Sequence, residues 1–117
     1  RWRQILREPW ISSKALKDVV DKFYDTVILD SERNKKLAKF IDETEIREMQ
    51  NRYKALWWNE AVTLVIMEKI LGVTHFSESV FSQFINLTNN KLIEIIDYGI
   101  KEYQVRNKLN KLESDFI

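Results

Sequence analysis

Apolar residues recur with helical spacing along most of this chain. Leu16, Val19, Val20, Phe23 and Val27 lie three or four positions apart or side by side, with Lys14, Lys17, Asp18, Asp21, Lys22 and Asp25 between them. This pattern predicts an amphipathic helix from about Ser13 to Leu29. Asp30 or Ser31 then caps a short charged helix to about Ala38, which carries Leu37. Phe40 and Ile41 stand at a corner. Asp42 to Thr44 opens the next helix, whose early Glu residues suit its N-terminus. Its apolar stripe is Ile46, Met49, Tyr53, Leu56 and Trp57. Asn59 reads as a break or a cap. Ala61 to Leu71 is apolar on nearly all sides, the mark of a helix buried between layers. A buried strand over Val62 to Ile66 is the rival, but no second strand offers pairing. Gly72 is the C-terminal stop.

Ser77 opens a further helix with Val80, Phe81, Phe84, Ile85 and Leu87, and Thr88 to Asn90 form a turn. The last helix runs from about Asn90 to Ser114. Its long stripe is Leu92, Ile95, Ile96, Ile100, Tyr103, Leu109, Leu112 and Phe116. Gly99 inside it costs about 1 kcal/mol relative to Ala and marks a close helix contact. At the N-terminus, Trp2, Ile5 and Leu6 predict a short helix over Arg1 to Glu8, ended by Pro9. Trp10 and Ile11, just before Ser12 and Ser13, fit a hydrophobic staple onto the next helix.

Composition narrows this picture. With 117 residues, two Gly and one Pro, the chain has too few turn formers for a β fold. It reads as one all-α domain over residues 1–117. A net charge of +1 provides no field to attract nucleic acid or a membrane surface. The absence of Cys excludes disulfides, thiolate metal sites and Cys nucleophiles. No stretch approaches a membrane span and no signal peptide is visible, so the expected location is the cytoplasm. Asn86-Leu87-Thr88 matches a glycosylation sequon, read as chance without a secretion signal.

The chain holds no catalytic constellation: one His, no Gly-rich phosphate loop and no metal-binding His pair. The expectation is a non-enzyme without a metal site. His75, in the loop after Gly72, reads as a surface residue. The aromatics Phe23, Tyr24, Phe40, Tyr53, Phe81 and Phe84 read as core. Tyr24 follows Phe23 at the inward edge of its helix, where its hydroxyl needs a partner. Val19 to Leu56 places two apolar helix faces around a tight connection and a corner Phe. Crossing helices of this kind can enclose a pocket, so this stretch is expected to build a pocket wall.

The order of these pieces resembles a family. Phe23-Tyr24-Asp25 after Val19-Val20, Phe40 after a short charged helix, and Gln50 with Tyr53 resemble the B, C and E helices of bacterial globins of the globin-coupled-sensor type. Ile70-Leu71-Gly72-Val73 is similar to the end of the F helix. The resemblance covers roughly Leu16 to Tyr103 and implies a globin-like helical fold. On it Tyr24 falls at the distal tyrosine, Phe40 at the corner phenylalanine, and Gln50 and Tyr53 on the distal helix. The proximal His is missing: Glu68 stands there, between Met67 and Lys69. Iron needs a well-placed axial donor, so no haem is expected.

The chain therefore resembles the haem-less sensor globins of bacilli, the sporulation-inhibitory proteins similar to a sporulation histidine kinase's sensor domain. That resemblance implies a fatty acid in the former haem space, a chloride-type halide nearby, histidine-kinase signalling as partner, and a homodimer through the last two helices. The surface for it would be the stripe from Leu92 to Phe116, with Gly99 permitting close approach. An empty apolar hole costs about 24 cal/mol per Å³. Trp57, Trp58, Phe81 and Phe84 are expected to fill part of it and an acyl chain the rest. The expected apolar lining is Phe23, Tyr24, Val27, Phe40, Met49, Tyr53, Leu56, Val65, Ile70 and Phe84. The carboxylate needs a cationic mouth, with Arg47, Arg52, Lys54 and Lys69 as candidates. The alternatives are a haem-binding gas sensor using Met67 or His75 and a ligand-free helical interaction module.

Overall fold

The computed structural model describes residues 13–53 and 56–116, and for 13 and 109–116 the backbone alone. The expected N-terminal helix, the Trp10–Ile11 staple and Lys54 lie outside the described residues. Six helices follow in order: α1 (Ser13–Phe23), α2 (Ser31–Phe40), α3 (Glu43–Arg52), α4 (Trp58–Val65), α5 (Glu78–Ile85) and α6 (Asn89–Phe116). Among the described residues there is no strand, so the fold is all-α. No helix there is long and apolar enough to cross a membrane.

Two helices end in a wider coil. α1 continues as a π-helical segment over Tyr24–Ile28, and α4 continues as another over Ile66–Ile70. In the first, the Leu29 N–H donates to Tyr24 O at 3.0 Å; in the second, Leu71 N–H donates to Ile66 O at 3.2 Å. Each bond reaches back five residues instead of four. π turns are rare and occur frequently at functional sites.

The helix starts follow local chemistry. Asp30 accepts from the N–H groups of Glu32 and Arg33, each at 3.1 Å. The Arg33 N–H and then its guanidinium hold the Asp30 carboxyl below the usual carboxylate range. Asp42 and Glu45 form a reciprocal capping box, with bonds of 3.0 and 2.9 Å. Ser77 accepts from the Val80 N–H at 3.3 Å. Asn59 is neither break nor cap. α4 starts at Trp58, and the Glu60 carboxylate accepts the Trp57 N–H at 2.8 Å. Gly72, at φ 75°, ends the second π segment in the left-handed region that a Cβ disfavours.

One core joins α1, α4, its π extension and α6. Val19, Phe23, Val27, Leu64, Ile66, Met67, Leu92 and Ile96 are at most 1% exposed. On α6 the described part of the long apolar stripe turns inward. Leu92, Ile96 and Ile100 are buried against the chain's own core, and Tyr103 packs its ring edge-on to Phe40 at 4.9 Å. Gly99 belongs to this inner face. A Cβ there would stand 2.9 Å from both the side chain and the carbonyl oxygen of Ile70. The close contact expected at Gly99 is therefore made within the chain, to the end of the second π segment, and not to a second copy.

Charged side chains tie the helices together. The Arg33 guanidinium on α2 grips Asp97 on α6 with two bonds of 2.8 and 3.0 Å. Lys22 on α1 donates to the carbonyls of Ile85 and Leu87 at the C-terminal end of α5, where a cation is favoured. Lys22→Met keeps the aliphatic stem and removes these bonds. It is expected to lower stability by about 1–3 kcal/mol, measured as a shift in the urea midpoint at constant slope.

Candidate functional site

The helix ends and corners build a pocket of about 260 Å³ beside the core. Ile28 closes it from the first π segment and Ile66 from the second; Leu37 and Ala38 come from α2, Ile41 from the corner, Ile46 from α3, and Trp58 and Val62 from α4. Asn34 and Asn59 complete the lining, and both are exposed. The volume lies just below the range of about 300–1,000 Å³ usual for ligand sites. No lining residue is ionisable. Trp58 is 43% exposed and its neighbour Trp57 is 77% exposed, so an aromatic edge borders the opening. The two expected cavity fillers at 57 and 58 thus lie at the surface, because α4 begins there.

Sequence reasoning placed the pocket elsewhere. Of the ten expected lining residues, nine gather in one hydrophobic cluster of the core. Phe23, Val27, Met49, Val65 and Ile70 are at most 3% exposed, and Phe40, Tyr53, Leu56 and Phe84 pack against them. The Phe23 and Phe84 rings lie 5.9 Å apart. Tyr24 is not with them: it is 40% exposed and faces outward, so its hydroxyl needs no interior partner. None of the ten lines the pocket between α2 and α4. On α2, Asn34 and Ala38 are four residues apart among charged neighbours and border this pocket with Leu37.

The three described candidates for the cationic mouth are held by other groups. Arg47 pairs with Glu43 one turn earlier on α3. Arg52 is bound by the Glu68 carboxylate through bonds of 2.8 and 3.2 Å, which raises its pKa. Lys69 donates to Glu45 at 2.7 and 2.9 Å and to the Phe40 carbonyl, with its ammonium 5.5 Å from the centre of the Tyr103 ring. Burial opposes its charge, but the Glu45 carboxylate and the neighbouring Tyr103 outweigh burial and raise its pKa. None of these three cations lines the pocket.

The remaining site candidates have structural places. Gln50 donates its amide to Leu56 O at 3.1 Å and holds the connection after α3. Met67 is wholly buried, His75 is exposed, and Glu68 serves Arg52. The buried hydroxyls of Thr26 and Thr63 return to the carbonyls of Lys22 and Asn59 in their own helices. Among the described residues no buried side-chain nitrogen or oxygen lacks a partner, and no three metal-ligating side chains come together.

Compared with known proteins, the chain matches no family model, no curated protein and no solved structure.

Proposed function

We propose that this chain is a non-enzymatic helical sensor domain that takes the apolar chain of a lipid into the pocket between α2 and α4. The observation that carries this reading is the meeting of both π segments at one apolar pocket, Ile28 from one and Ile66 from the other. A π turn is rare and occurs frequently at functional sites, and we take the α register to be its alternative state. A ligand pressing on Ile66 therefore acts on a backbone that has a second register available. The far end of that segment, Ile70, seats against Gly99. Occupancy would bias the register, and the register would move α6.

The globin-like ancestry and the histidine-kinase output are proposals that rest on the residues resembling the sensor globins; the fatty acid with a neighbouring chloride, which the same resemblance implies, would find no ionisable lining residue in this pocket. The homodimer gains a different geometry. Tyr98 and Val105, seven residues apart on α6, lie away from the core stripe of Leu92, Ile96 and Ile100. Tyr98 is 66% and Val105 52% exposed. A spacing of seven matches a coiled-coil seam, which two copies of α6 would share.

Organic extraction of the purified protein followed by mass spectrometry tests the ligand. The expected result is a stoichiometric acyl lipid, lost in Ala38→Phe, which fills the pocket from an exposed position. A lipid-free protein that also fails to take up any added acyl chain would reject the reading. A Soret band on adding haem would favour a haem site instead.

A further inference from the structure

We infer that the pocket selects a lipid with an uncharged, hydrogen-bonding head group, such as an alcohol or amide, over a free carboxylate or an ammonium. The inference rests on the ligand reading above and adds the chemistry of the head. A charged group brought into an apolar site without a partner carries a large desolvation cost. The pocket has no ionisable lining residue to supply that partner. The half-buried cation Lys69 is held by Glu45 and the Phe40 carbonyl, and Arg52 is held by Glu68. Drawing either to a ligand carboxylate would break a pair and strand the carboxylate left behind.

Two carboxamides do line the opening, Asn34 on α2 and Asn59 on α4. Neither side chain makes a hydrogen bond within the described residues. Each offers two N–H donors and one carbonyl acceptor. They face the pocket from opposite helices, so a head that both donates and accepts can be satisfied by the pair. A hydroxyl or a primary amide has that capacity. A carboxylate can only accept and an ammonium can only donate, and each retains an uncompensated charge.

The experiment titrates the full chain with 1-decanol, decanamide, decanoate and decylammonium at pH 8, all with the same chain length. Binding is followed by calorimetry and by the fluorescence change that is lost in Trp58→Phe. Decanol and decanamide are expected to bind about tenfold or more tighter than either ion. The preference should shrink in the Asn34→Leu, Asn59→Leu double variant, which leaves the apolar walls intact. Decanoate binding as tightly as decanol, and abolished by Ala38→Phe, would overturn the neutral-head inference and leave the pocket reading standing. If none of the four binds, or if Ala38→Phe changes nothing, the pocket reading falls and this inference with it.

Discussion

Phe23→Ala is expected to remove about 3–5 kcal/mol of stability, a large share of the roughly 5–15 kcal/mol available to a domain of this kind. Phe23 has no exposed surface. Its helix presents Val19, Val20 and Val27 on the same buried face, and its ring packs at 59° to the Phe84 ring of α5. Removing the ring takes away its transfer free energy and leaves a hole walled by stiff β-branched residues that cannot close over it. Urea unfolding followed by circular dichroism measures the loss, and Phe23→Leu, which leaves a smaller hole, should fall between the two proteins. The result also decides what the α1 face is for. If Phe23 lined an empty ligand space, truncation would cost less than about 1 kcal/mol, because its neighbours would already lack packing partners on that side. Ligand uptake at the pocket between α2 and α4 should survive in whatever fraction of Phe23→Ala remains folded, since Phe23 does not line it.

The helices were legible because their signals are local. Periodicity placed α1 and α4 together with their π extensions, Asp30 caps α2 as one of its two candidates, Asp42 and Ser77 stand at the helix starts expected near them, and Gly72 ends its helix where φ turns positive. The site was less legible, because a pocket is a property of the spaces between elements. Phe23, Val27, Met49 and Val65 carry the same apolar pattern whether they line a void or fill one, and only three-dimensional packing tells these apart. The cations failed for a related reason. Arg52 and Lys69 are paired with Glu68 and Glu45, sixteen and twenty-four positions away in the sequence, and no one-dimensional pattern reveals that their charge is already committed. Neither π turn has a sequence signature, yet the two together locate the pocket. On α6, Leu92, Ile96 and Ile100 are buried as their spacing predicts, whereas Tyr98 and Val105 on the same helix are exposed.

Gly99→Ala puts two opposed effects on one atom, and the structure decides the sign. In the middle of the 28-residue α6, Ala in place of Gly is worth about 1 kcal/mol in favour of folding. Against this, the new Cβ would lie 2.9 Å from Ile70 Cγ2, 2.9 Å from Ile70 O and 3.2 Å from Leu71 Cδ2. The two side-chain atoms can rotate aside at small cost. The carbonyl cannot, because it belongs to the backbone of the second π segment, which is fixed beyond it by the left-handed Gly72 and by the bond of 2.9 Å from Val73 N–H to Met67 O. Relief requires α6 to lift from that segment, and overpacking of this kind costs about 1–3 kcal/mol. The net expectation is a loss of up to about 2 kcal/mol, the two terms taken together, so the substitution that stabilises most exposed helices destabilises this one. A gain in stability in urea would show that α6 and the π segment do not bear on each other. The functional consequence separates from the stability cost. Ile28, Leu37 and Val62 are untouched, so Gly99→Ala should still bind its ligand. The ligand-induced change in α6 amide hydrogen exchange that the proposal expects of the native chain should be reduced or absent, because the contact proposed to carry a register change from Ile66 through Ile70 to α6 has been forced open.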